Sequence, residues 1–234
     1  MGSLSFTLLP GCCVLCSAWT HRELDLCIAC EQDLPWITEA CCYCALPLSD
    51  SRDICSRCMQ QAPDYSAALC PFEYRFPVDV MIQRFKESNH LASGRVLATL
   101  LAKQLCETLT QLCQDKTMIV PVPLHPSTQR RRGFNQSLVI AREISRSFAT
   151  PIVESCLWRT KQTIDQKSLN LVDRRKNLAG VFTATKDVHR QRILLVDDVI
   201  TTTATITEIS QTLLAAGAED VVVLALARTP SHYA

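Results

Sequence analysis

The chain lacks the marks of an exported protein. Its first 21 residues contain no Asp, Glu, Lys or Arg, so the basic n-region that opens a secretory leader is missing. Pro10 and Gly11 break the short apolar run there, and Ser3, Ser5, Thr7, Ser17 and Thr20 dilute it. Leu9-Pro10-Gly11-Cys12 is faintly like a lipoprotein cleavage box, but the leader before it is too short. Phe6 stands where a myristoylation signal needs Ser or Thr. No stretch reaches the ~18 apolar residues of a membrane helix, so membrane insertion is not expected. Net charge is also missing, at +1 over 234 residues. A cytoplasmic protein is the expectation, and in that compartment thiols stay reduced and cysteine pairs serve metals.

Cysteine is what the chain has in excess, with 14 in total and 10 before residue 60. Cys13-x-x-Cys16, Cys27-x-x-Cys30, Cys41-x-x-Cys44 and Cys55-x-x-Cys58 recur with ten residues between successive pairs, an internal repeat of fourteen. A Cys-x-x-Cys knuckle turns two thiolates to one side, and two knuckles complete a tetrahedral Zn²⁺ site. Eight ligands make two closed four-cysteine sites, structural because no position is left for water. They supply stability that so short a segment cannot draw from a core. Sequential pairing closes short loops, whereas a cross-braced arrangement uses alternate knuckles; the spacing admits both. Cys12 and Cys42 read as spectators, and Cys70, Cys106, Cys113 and Cys156 as small core residues.

Charge divides the chain. Residues 1–65 hold 3 Lys and Arg against 8 Asp and Glu, and the remainder holds 21 against 15. The acidic metal module is therefore expected to be architectural or to dock a partner, and the basic part to meet an anion. Gln60-Gln61-Ala62-Pro63-Asp64 reads as a linker. This gives a double zinc ribbon over 10–62 and an α/β domain over 65–234.

Within that domain the spacing predicts strands over 66–75, 118–123, 181–184, 193–196 and 221–227. Helices are predicted over 78–87, 91–113, 137–148 and 204–216. Phe85-Lys86 reads as a core Phe beside a solvated Lys. Arg130-Arg131-Arg132-Gly133-Phe134 suits phosphate contact plus stacking on a base, and Trp158 reads as packed. The segment 159–182 is polar and basic.

Ile193–Val196 is a run of branched apolar residues, the pattern of a strand buried on both faces of a parallel sheet. Asp197 and Asp198 end it, and Thr201, Thr202, Thr203, Ala204 and Thr205 lead into a helix. Ligands of open α/β sheets sit at the carboxyl ends of strands, and a helix N-terminus there suits a phosphate. The hydroxyls add donors, while the carboxylates can hold a diol or, through water, Mg²⁺. Such residues make a site for a phosphorylated sugar. The stretch resembles the phosphoribosyl pyrophosphate (PRPP) motif of type I phosphoribosyltransferases, except that Thr203 stands where that family has Gly. A left-handed Thr203 would cost roughly 1–2 kcal/mol, and on that reading Thr203→Gly tightens PRPP about tenfold. A right-handed loop with Thr203 capping the helix would cost nothing.

Val120-Pro121-Val122-Pro123, then Arg132-Gly133-Phe134-Asn135-Gln136, then Asp197-Asp198 with the threonines, all behind Cys-x-x-Cys knuckles, resemble the competence protein F family. That family includes the GntX-type proteins of proteobacteria, and the resemblance covers essentially the whole chain. It implies a double zinc ribbon ahead of a phosphoribosyltransferase-like domain, with a mainly parallel sheet flanked by helices. It also implies a part in DNA uptake or the use of external DNA, with single-stranded DNA and the DNA-uptake machinery as partners. Asp197 and Asp198 would be catalytic, Thr201–Thr205 would hold the phosphate of PRPP, and Mg²⁺ would accompany it. Arg159, Arg174 and Arg175 fall at the enzymes' mobile hood loop, and with Arg131 and Arg132 would contact pyrophosphate or DNA. The other reading is a catalytically silent scaffold that binds PRPP, DNA or partner proteins. His125 is a general-base candidate by motif position alone.

Overall fold

Branched apolar residues from Ile193 to Val196 form the strand the pattern predicts, and the rest of the sheet lies beside it. The computed structural model describes residues 11–49, 52–160 and 180–230. In chain order, strands β1 (Gly11–Cys12) and β2 (Trp19–Thr20) and helix α1 (Ile28–Gln32) belong to a first cysteine-rich lobe, and α2 (Ser56–Gln60) to a second. Strands β3 (Ala67–Leu69) and β4 (Phe72–Glu73) lead to helices α3 (Val78–Glu87), α4 (Leu91–Gln104) and α5 (Cys106–Leu112). Strand β5 (Thr117–Pro121), helices α6 (Pro126–Arg132) and α7 (Gln136–Phe148), and strand β6 (Leu157–Arg159) follow. The chain then runs through β7 (Phe182–Ala184), β8 (Arg192–Ile200), α8 (Ala204–Ala215) and β9 (Asp220–Arg228).

The central sheet runs in the order β3-β9-β8-β5 with every pairing parallel, and β4 extends the β3 edge along β9. Side chains alternate across it, as a period of two requires. Leu194, Val196, Val222, Leu224 and Leu226 face a cluster with Met81, Phe85, Leu97, Leu101, Ile140 and Ile144 from α3, α4 and α7. Ile193, Leu195, Val221, Val223 and Ala225 face the other cluster, closed by Ile206, Ile209 and Leu213 of α8. The fold is therefore mixed α/β, with a parallel sheet between helical layers.

Both lobes are fastened to this sandwich. Leu24, Leu26 and Leu34 join the first cluster. Trp36 stacks obliquely on Phe72 with ring centroids 4.6 Å apart, and the Glu73 N–H donates to the Pro35 carbonyl at 2.9 Å. Ala45 and Tyr65 join the second cluster.

Several boundaries differ from the sequence reading. The strand expected over 66–75 is two short ones, because Pro71 has no N–H for the ladder; its carbonyl accepts from Ile37 instead. The helix expected over 91–113 is interrupted at Leu105, where φ is −101°. Cys70 and Cys156 are buried as expected, Cys113 is half-buried and Cys106 is exposed. Cys106 opens α5, whose inward position is Leu109.

Helices α3 and α4 approach closely because Gly94 has no side chain. A Cβ there would lie 2.5–2.6 Å from three atoms of the Phe85 ring. Gly94→Ala would gain up to ~1 kcal/mol of helix propensity, against ~1–3 kcal/mol for overpacking a buried ring. The expected outcome is a lower urea midpoint with an unchanged m-value; a raised midpoint would mean that Phe85 can move aside.

Candidate phosphate and metal sites

The eight knuckle thiols gather into two sets, Cys13, Cys16, Cys27 and Cys30 in one, Cys41, Cys44, Cys55 and Cys58 in the other, with each set's ligand atoms within 4.8 Å of one another. Pairing is thus sequential. A tetrahedron with metal–sulfur legs of ~2.3 Å has edges of ~3.8 Å. The Cys16–Cys27 and Cys44–Cys55 sulfurs stand 3.8 and 3.7 Å apart, far beyond a disulfide bond and close to that edge. Both sets fit a tetrahedral zinc ion. Cys12 and Cys42 are exposed and outside both sets.

Asp197 and Asp198 lie near the carboxyl end of β8. Asp198 turns to α3, where Lys86 Nζ meets its Oδ1 at 2.9 Å. Asp197 Oδ1 accepts from the Ser137 hydroxyl at 3.3 Å and from the Asp198 N–H at 2.8 Å. Desolvation and then the Asp198 charge push the Asp197 carboxyl up to about 7. Burial alone would lower Lys86, but the Asp198 carboxylate outweighs it and holds the ammonium above its ordinary value. Lys86 is therefore a partner of the acid pair and not a solvated lysine. Sequence reasoning missed it because its partner is more than a hundred residues away.

The Arg-Gly-Phe-Asn-Gln-Ser stretch is largely scaffold. Arg130, Arg131 and Arg132 form the last turn of α6, where cations complement the helix dipole, and Gly133 ends it at φ 83°. Arg132 donates to Gln136 Oε1 at 2.8 Å, while Arg131 is exposed. Phe134 packs against Phe85, centroids 5.5 Å apart, so it is not an open stacking platform. Asn135 caps α7 by accepting from the Ser137 N–H and ties it to β5 by donating to the Val122 carbonyl at 3.0 Å. That tie is what carries Ser137 to Asp197. His125 caps α6, its Nδ1 accepting from the Ser127 N–H. Trp158 is 45% exposed on β6, contrary to the packed reading. Arg159 stands 5.9 Å from the Phe182 ring centroid; burial lowers its pKa while the charge of Asp197 opposes that. Arg174 and Arg175 lie outside the described residues.

Beyond Ile200 the chain turns through Thr201–Thr203 into α8. Thr201 is exposed and Thr202 buried, with Thr203, Ala204 and Thr205 between. Thr203 has φ 65° and ψ −10° and makes no side-chain cap. The left-handed form is therefore kept without Gly, and the capping alternative is not. Arg228, at the end of β9, donates to the Ile200 and Thr201 carbonyls from within the protein. A cavity of about 210 Å³ opens between the second lobe and this turn, lined by Arg57, Cys58, Tyr65, Thr203, Thr207 and Glu208 among others.

No family model matches the chain. Competence protein F of Haemophilus influenzae is 33% identical over 221 residues, covering 92% of this chain and 96% of that protein. The DNA utilization protein YhgH of Escherichia coli O157:H7 is 32% identical over 223 residues, covering 94% and 98%. Its Salmonella typhimurium counterpart is 30% identical over 225 residues, covering 94% and 98%. Among solved structures, the allosteric regulatory enzyme of purine biosynthesis is 18% identical with a TM-score of 0.37, covering 56% of this chain and 25% of that one. That likeness is too distant to bear on function.

The raised Asp197 pKa has a consequence for stability. An unfolded Asp titrates near ~3.9, so the fold favours the protonated form. The associated stability is complete below the unfolded value and is lost as pH rises through about 7. Asp197→Asn removes this dependence. Its urea midpoint should gain on the unsubstituted chain between pH 5.5 and 8.5; a pH-independent difference would show that Asp197 is ionised throughout.

Proposed function

Because this chain belongs to the competence protein F family, we propose that it binds PRPP at the carboxyl end of β8 and serves DNA uptake or the use of external DNA. The observation that carries the PRPP reading is the acid pair of β8 followed by a left-handed turn into α8. The N–H groups of the first turn of α8 take the 5′-phosphate, helped by the Thr201 and Thr205 hydroxyls. Asp197 accepts from the ribose hydroxyls, while Asp198 is paired with Lys86. Arg159, which feels the charge of Asp197, offers charge to the diphosphate, with Arg174 and Arg175 as further candidates. Mg²⁺ bound with PRPP would neutralise the diphosphate and make it a better leaving group. Two structural Zn²⁺ ions hold the lobes, one in each set of four cysteines.

The relatives' names support the DNA role, as does the cationic surface that the exposed Arg131 adds to the basic part of the chain. Catalysis would require an acceptor at the anomeric carbon, and a charged carboxylate below the ring would stabilise an oxocarbenium-like transition state. With His125 engaged in capping α6, the binding role is the better supported of the two.

The strain at Thr203 is present in the fold before any ligand arrives. It therefore weighs on stability, and only crowding by its Cβ bears on affinity. Thr203→Gly should raise the urea midpoint and tighten PRPP by less than the roughly tenfold that ~1.4 kcal/mol would give. Asp197→Asn should weaken PRPP binding in both backgrounds. Calorimetry with Mg²⁺ and PRPP, followed by pyrophosphate release with and without single-stranded DNA, tests the reading. Binding without release supports the scaffold, DNA-dependent release supports an enzyme, and absence of PRPP binding overturns the proposal.

A further inference from the structure

Arg228 is 2% exposed, and among the described residues no carboxylate lies within salt-bridge distance of it. Its hydrogen bonds all go to main-chain carbonyls. Nε donates to Cys44 at 2.9 Å, and Nη1 donates to Ile200 at 3.0 Å, to Thr229 at 2.9 Å and to Thr201. A buried cation that meets only neutral acceptors is costly unless negative charge lies nearby. Cys44 belongs to the second set of four thiols. Four thiolates around Zn²⁺ carry a formal charge of about −2, which is the compensation that Arg228 lacks. The same guanidinium grips the two carbonyls that lead into the left-handed Thr203, and the cavity beside this turn is walled by Cys44 and Cys58. Among the described residues the first set of thiols has no such link to the turn; its lobe reaches the sheet through Trp36 on Phe72 and through Leu24, Leu26 and Leu34.

We propose that Arg228 is a positioning residue that joins the second four-cysteine centre to the Thr201–Thr203 turn, so that metal at this centre, and not at the first, fixes the geometry of the turn. The charge of the metal–thiolate cluster keeps Arg228 buried, and its planar fork spans two chain segments that a point charge could not bridge together. Metal loss at the second centre would then loosen the turn. Only the PRPP arm of the test rests on the function proposed above.

The test uses the full chain and the variants Arg228→Met, Arg228→Lys, Cys16→Ser and Cys55→Ser. Zinc retained against a chelator, amide hydrogen exchange over 200–206, and PRPP affinity are measured for each. Arg228→Met should lose about one zinc per chain at a chelator concentration that leaves the unsubstituted protein with both, and exchange over 200–206 should rise roughly tenfold. Arg228→Lys should keep the zinc, because its charge remains, yet fail to restore slow exchange. Cys55→Ser should speed exchange in the turn, and Cys16→Ser should leave it within about twofold. Full zinc with unchanged exchange in Arg228→Met would overturn the proposal, as would equal effects of the two cysteine substitutions. If Arg228→Met does not fold, the contrast between Arg228→Lys and the unsubstituted chain, and that between Cys16→Ser and Cys55→Ser, decide it. PRPP affinity should fall wherever exchange rises. A chain that binds no PRPP refutes the functional reading alone, and the zinc and exchange results still decide the coupling.

Discussion

Strand β8 buries four branched residues between two apolar clusters and then carries two carboxylates out of the same sandwich. That demand shapes everything around it. Low-dielectric surroundings penalise each charge, and adjacent charges penalise each other. The chain meets the first carboxylate with a proton-favouring environment and the second with a half-buried lysine. Lys86 comes from α3, whose position depends on Phe85 lying against Gly94 of α4. Ser137 comes from α7, fixed by Asn135 against β5. Pairs like these seldom raise stability over well-packed apolar residues. Their presence at a strand end makes best sense as preparation for a ligand.

The second constraint is the turn that follows. A β-branched residue at positive φ holds only where its surroundings over-determine it. Here the N-terminal side is held by Arg228 and the C-terminal side by α8, packed through Ile206, Ile209 and Leu213. The cysteine-rich lobes are thus parts of the sandwich as well as carriers of the two thiol clusters. Leu24, Leu26 and Leu34 complete one face, Ala45 and Tyr65 the other.

Much of this was legible in the sequence, and the reasons are local ones. A Cys-x-x-Cys repeat, a branched apolar run and a helix with period 3.6 each express their physics within a few residues. The errors share a cause as well. Pro71 cut a strand, Leu105 broke a helix, and Phe134 found a partner in Phe85 instead of an open face. Trp158 stayed half outside on β6, and Cys106 took an outward position. Each depends on what another segment offers at that place, which periodicity does not report.

From the sequence alone came the parallel α/β sheet, the eight cysteines of the knuckles and the acid pair with its threonine turn, because composition and spacing determine them. Tertiary structure decided which knuckles come together, that Thr203 is left-handed, and that Lys86 and Ser137 meet the acid pair and Arg228 the turn after it. Those residues act across separations of up to 184 positions. Charge compensation and hydrogen bonding between distant segments are fixed only when the sheet brings them together, so a one-dimensional pattern leaves no trace of them.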